Sequence, residues 1–140
     1  MGRAICRSRG VVNPRTKRHP PFIPDRGEVV WVSLDPTPGH EQAGHRLALV
    51  LSPAVYNARA GLMLACPVTR QVKGYPFEVR VPADTPLQGV FLADQVRSLD
   101  WAARRARPML AADGETLIVS ESVLAQVQGR LQRLLFDQVT

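Results

Sequence analysis

A chain of 140 residues, 45% apolar and 21% charged, has material for one globular domain with an ordinary core. No apolar run reaches the roughly 18 residues of a membrane span, and Arg7, Arg9 and Asn13 interrupt any secretory apolar segment, so a soluble, cytoplasmic protein is expected. Two cysteines, Cys6 and Cys66, are too few for a disulfide scaffold and form no C-x-x-C pair.

The net charge of +6 is concentrated at the start. Residues 1–20 carry Arg3, Arg7, Arg9, Arg15, Lys17 and Arg18 and no acid, whereas the remaining twelve basic and twelve acidic residues cancel. With Pro14, Pro20, Pro21 and Pro24 opposing regular structure, residues 1–22 are expected to be a basic, disordered leader and residues 23–140 the folded domain. Such an arm can hold a polyanion by counterion release, or it is an extension without a role of its own.

Short β-rich runs follow Gly27. Val29 to Leu34 alternates around Trp31, Leu47 to Leu51 and Leu62 to Val68 are nearly all aliphatic, and Phe77 to Val81 alternates F-E-V-R-V. Further strands are expected over Val90 to Val96 and near Arg107 to Ala111. Turn signals separate them at Pro36 to Gly39, Asn57 to Gly61, Lys73 to Pro76 and Pro86 to Gly89. Short strands at this spacing suggest a small antiparallel barrel rather than βαβ units. From Ser120, a plausible N-cap, the period changes. Val123, Leu124, Val127, Leu131, Leu134 and Leu135 then recur on one helical face, interrupted only by Gly129.

The connection G-H-E-Q-A-G-H-R, Gly39 to Arg46, concentrates ionisable chemistry between two strands. His40, Glu41 and His45 give H-E-x-x-x-H, one residue too long for two histidines to share a helix face, and the glycines and prolines argue against any helix. No metal is therefore expected. Ser52 follows a strand but lacks the G-x-S-x-G of a hydrolase elbow. Phosphate chemistry fits best. Arg46 offers a planar fork of donors, Thr69 a hydroxyl for a non-bridging oxygen, and Glu41 a base for a ribose 2′-hydroxyl. Composition alone leaves a surface Glu–Arg ion pair equally open.

The stretch W-V-S-L-D-P-T-P-G-H-E-Q-A-G-H-R-L-A-L-V-L-S-P, Trp31 to Pro53, closely resembles the opening of the MazF/PemK family. These are mRNA interferases of bacterial toxin–antitoxin modules. The likeness continues through Tyr56 and Asn57, C-P-V-T (Cys66 to Thr69), K-G-Y-P-F-E-V (Lys73 to Val79) and G-V-F-L-A-D-Q-V-R-S-L-D-W (Gly89 to Trp101), and it is strongest toward MazF.

The resemblance implies a mainly β fold, an SH3-like antiparallel β-barrel of the CcdB/MazF type with a C-terminal helix, and a homodimer. It also implies metal-independent, cofactor-free, sequence-specific cleavage of single-stranded RNA, and a MazE-like antitoxin as partner. Arg46 and Thr69 match the main catalytic positions and Glu41 the loop glutamate. Gln42, His45, Lys73, Tyr75, Phe77, Asp94 and Gln95 match RNA-binding positions. The reaction expected is attack of the 2′-hydroxyl on its own phosphate, giving 2′,3′-cyclic phosphate and 5′-hydroxyl ends. Leu34 and the segment P-A-D-T-P-L-Q-G before Val90 depart from the family pattern and bear on which RNA sequence is read. The alternative on fold alone is a non-catalytic toxin of the CcdB kind that binds a protein such as DNA gyrase.

Overall fold

Residues 22–33 and 44–136 are described in a computed structural model of the chain. Seven strands and two helices form in the order β1 (Val29–Ser33), β2 (His45–Val50), α1 (Ala54–Ala60), β3 (Leu62–Thr69), β4 (Glu78–Arg80), β5 (Val90–Leu92), β6 (Arg97–Asp100), β7 (Arg107–Pro108) and α2 (Glu121–Phe136). Their order in one antiparallel sheet is β4-β5-β3-β2-β1-β7, with β6 also paired to β3. The mainly β architecture with a C-terminal helix is as expected. Among the described residues β4 and β7 are not joined, so the sheet is open.

Strand β3 organises this sheet. One edge pairs with β2 from Ala48↔Pro67 to Val50↔Ala65. The other edge takes two partners in turn, β6 along Leu62 to Ala65 and β5 along Val68 and Thr69. This explains why the single strand expected over 90–96 breaks after Leu92. The chain must shift from one half of β3 to the other, and a 3-10 turn, Ala93–Gln95, makes the offset. The Ala93 N–H donates to the Phe77 carbonyl, 3.1 Å.

Side chains alternate across a strand, and the sheet buries apolar groups on both faces. Leu49, Cys66, Val68, Val79 and Phe91 meet Val123 and Val127 of α2 on one face. Ala48, Val50, Met63, Ala65, Leu99 and Trp101 pack on the other. Ser120 caps α2 as expected, its hydroxyl accepting the Val123 N–H at 3.2 Å. Leu124 and Leu131 are half-buried against the first core, but Leu134 and Leu135 are exposed, contrary to the periodicity, because the core ends at Leu131. No helix among the described residues is long and apolar enough to cross a membrane.

Helix α1 replaces the turn expected at Asn57 to Gly61. Seven residues with Val55 and Tyr56 exposed leave no apolar stripe to read. A polar group holds the helix instead. The fully buried Asn57 amide donates to the carbonyls of Pro24 (2.8 Å) and Ser52 (3.0 Å) and accepts the Ser52 hydroxyl (2.6 Å). The Trp101 indole N–H donates to the Asn57 carbonyl, 2.8 Å.

Candidate active site at the fork of the sheet

The β2–β3 ladder stops at Ala48↔Pro67, and its register explains the site. Two residues further along each strand, the same pairing would set Arg46 opposite Thr69. Instead β2 continues against β1, with Val32↔Arg46 and Ser33↔His45, while β3 turns to β5, with Thr69↔Val90. The strands part, and Arg46 and Thr69 stand on the two sides of the gap.

Both residues line two clefts. The smaller, about 250 Å³, is walled by Arg46, Thr69, Gln71, Lys73, Tyr75, Glu78, Leu92, Asp94 and Gln95. Six of the residues expected from the sequence therefore meet in one concavity, although their positions span 46 to 95. The second cleft, about 750 Å³, adds His45 and Trp31 to the same pair. Phe77 lines neither cleft; it is half-buried and contributes its carbonyl to the 3-10 turn. Glu41 and Gln42, with His40, lie outside the described residues, as do residues 1–21 of the leader, whereas its last residue, Phe22, packs against the core around Val30 and Met63.

Local hydrogen bonds set the groups. The Thr69 Oγ accepts the Gln71 N–H at 3.1 Å, which fixes the oxygen and leaves the hydroxyl proton to be donated. The Glu78 carboxylate accepts the N–H groups of Lys73 (3.1 Å) and Gly74 (2.9 Å), so it ties down the loop carrying Lys73 and Tyr75. The Lys73 Nζ lies 5.9 Å from the Tyr75 ring centroid, a cation–π contact of about 0.5–1 kcal/mol at an exposed site. At Gly89, φ is +113° and a Cβ would collide with the Thr69 carbonyl. Glu78, inside the alternating F-E-V-R-V, and Gly89, in a turn signal, were not singled out in the sequence. Their roles depend on which strand lies beside them.

The other chemical candidates recede. Ser52 is buried, and its hydroxyl is engaged with Asn57 and with the Leu64 N–H at 2.8 Å. Cys66 is fully buried, and desolvation, with a smaller contribution from the charge of Asp94, pushes its thiol up to about 12. It is a small buried hydrophobe. Arg104 donates to the Ser33 carbonyl at 3.0 Å and braces the end of β1.

A family model for the PemK-like, MazF-like toxin of type II toxin–antitoxin systems matches residues 25–135. The chain belongs to this family. Similar proteins include the endoribonuclease toxin MazF of Escherichia coli (strain K12), 55% identical over 85 residues, covering 61% of this chain and 76% of the relative. The endoribonuclease PemK of Escherichia coli is 35% identical over 118 residues, covering 79% of this chain and 81% of that protein. A crystal structure of MazE–MazF (Form-III) from Deinococcus radiodurans superposes with a TM-score of 0.70 at 49% identity, covering 81% of this chain and 97% of that one. A crystal structure of MazF (Form-I) from the same organism gives 0.67 at 53% identity, over 81% and 97%. The chain is thus a toxin of the MazF/PemK endoribonuclease kind. These matches support the nuclease reading over the gyrase-binding CcdB alternative.

Proposed function

We propose that this chain cuts single-stranded RNA at a short sequence, without a metal or cofactor, by driving the ribose 2′-hydroxyl onto its own phosphate. The observation that carries this is the shared position of Arg46 and Thr69 on the walls of both clefts. A phosphate bridging the gap would meet a guanidinium from one strand and a hydroxyl from the other. The nucleophile is already tethered to its target, so holding the linkage in line supplies much of the acceleration. What remains is charge building on the phosphoryl oxygens, which Arg46 and Thr69 are suited to stabilise. A guanidinium holds its proton far above neutral pH. Arg46 therefore acts chiefly through its charge, and Glu41 is proposed as the base that takes the 2′-hydroxyl proton, ahead of His45. Lys73, Tyr75, Asp94 and Gln95 would hold flanking nucleotides, and Gln42 and Phe77 keep the RNA-binding roles that the resemblance implies.

Around this chemistry we place a domain of residues 23–140, folded as an SH3-like barrel, acting as a homodimer in the cytoplasm. The basic leader stands outside it. The MazE–MazF crystal structure supports a MazE-like antitoxin as partner here. An acidic peptide laid over Arg46 would occupy the phosphate position and silence the site.

The test is incubation of purified protein with defined RNA in EDTA, followed by sequencing of the ends. Sharp cuts at one motif with cyclic phosphate termini are expected. Arg46→Ala should fold normally and lose about 10²–10³ in rate, the scale of losing one transition-state donor. More than a tenth of the normal rate would remove Arg46 from the mechanism. Cleavage of an RNA with 2′-deoxyribose at the cut step would exclude the cyclising route.

A further inference from the structure

The larger cleft has a chemistry of its own. Its apolar floor continues the α2-side core, with Leu47, Val68, Leu87 and Met109. Trp31 forms one wall, half-exposed. The lining includes His45, Arg46 and Arg70 and no aspartate or glutamate among the described residues, whereas the smaller cleft carries Glu78 and Asp94. At about 750 Å³ it is of the size that takes a small organic ligand. The Arg107 guanidinium, paired across the strand, lies 5.8 Å from the Trp31 ring centroid and adds positive charge at that wall.

We infer that this cleft is a nucleotide subsite, in which Trp31 stacks one base beside the cut and Gln71 and Gln88 read its edge. The inference rests on the RNA-cleaving reading and extends it. Continuity with Arg46 and Thr69 makes the occupant the substrate strand itself. With the scissile phosphate at the gap, the nucleotide on one side falls into the Tyr75–Asp94–Gln95 cleft, and its neighbour across the cut falls into the Trp31 cleft. The polarity suits this, since a cationic, acid-free rim attracts the flanking phosphate while an indole face holds the stacked base in the plane where its edge is read. A carboxamide presents both donors and an acceptor and can discriminate between base edges. Gln88 and Leu87 come from the segment P-A-D-T-P-L-Q-G, the same stretch that departs from the family pattern. The departure therefore sits where it can alter which base is chosen without touching the reacting groups.

The test uses the full chain as wild type, Gln88→Ala and Trp31→Leu on a random-sequence RNA pool, with all cut sites sequenced. A 2′-deoxy-blocked oligonucleotide carrying 2-aminopurine at successive positions around the cut reports stacking by fluorescence. Both variants are expected to relax base preference by about tenfold at the same single position on one side of the cut. Quenching of 2-aminopurine at that position should be present in wild type and absent in Trp31→Leu. An unchanged cut-site profile, or a uniform loss across all positions, would overturn the inference. So would wild-type quenching at no position, as when a second copy of the chain covers Trp31. Should Trp31→Leu not fold, the exposed loop variant Gln88→Ala decides alone. If wild type cuts no RNA, the failure belongs to the proposed function. If it cuts RNA and the profiles coincide, only this subsite falls.

Discussion

Gly89 leaves room for a hydrogen and nothing larger, because the Thr69 carbonyl occupies the space a Cβ would need, and its φ of +113° excludes other residues. Gly89→Ala should push β3 away from β5 at the point where Thr69 is held. The expected outcome is a fall in kcat of tenfold or more with little change in KM, measured on a defined RNA, since Thr69 is proposed to act on the transition state. An unchanged kcat would show that Thr69 tolerates displacement. Cys66 makes a prediction about pH. Its thiol is pushed from 9.0 to about 12 by burial, so below pH 9 both folded and unfolded chains keep the proton. Between about 9 and 12 only the unfolded chain releases it, and stability is lost as pH rises through that window. Alkylation should follow the same logic. In a Cys6→Ser variant, native Cys66 should resist iodoacetamide at pH 8 and react at once when unfolded; rapid native labelling would refute its burial.

At the level of elements, α1 depends on a single polar side chain rather than on an apolar stripe. Asn57→Ala removes two donated bonds and one accepted bond and leaves the Ser52 hydroxyl and the Pro24 carbonyl short of partners in a dry site. A loss of about 2–3 kcal/mol is expected in urea unfolding. A loss below about 0.5 kcal/mol would mean that α1 is held by something else. Strands β1 to β3 could be read from the sequence because each carries enough β-branched and aliphatic residues to set its period. Helix α1 could not, since its stabilising contacts reach back 33 residues to Pro24 and forward 44 to Trp101. The break at Leu92 was likewise hidden. The residues over 90–96 suit a strand throughout, and only the two-partner edge of β3 forces the 3-10 turn.

For the whole molecule, cations line both of the clefts that share Arg46 and Thr69. Arg70 lines the larger and Lys73 the smaller. If both meet phosphates, the Arg70→Ala, Lys73→Ala double variant should flatten the slope of log affinity against log salt by about 1.4, some 0.7 for each contact to a single strand. A filter-binding series on the 2′-deoxy-blocked oligonucleotide measures this, and an identical slope would mark the two side chains as merely solvated.

The sequence by itself determined the strands from β1 to β3, the capped final helix, the exclusion of a disulfide scaffold, and the residue types suited to phosphate chemistry. It also carried the family resemblance in ordered motifs. The tertiary structure alone decided that Arg46 and Thr69, 23 residues apart, stand across a fork, that Phe77 lines neither cleft beside it, and that Glu78 and Gly89 brace it. The reason is physical. Period and composition are set by each segment's own contact with core or water, whereas a site between strands exists only where a ladder stops, and that point depends on partners far away in the chain.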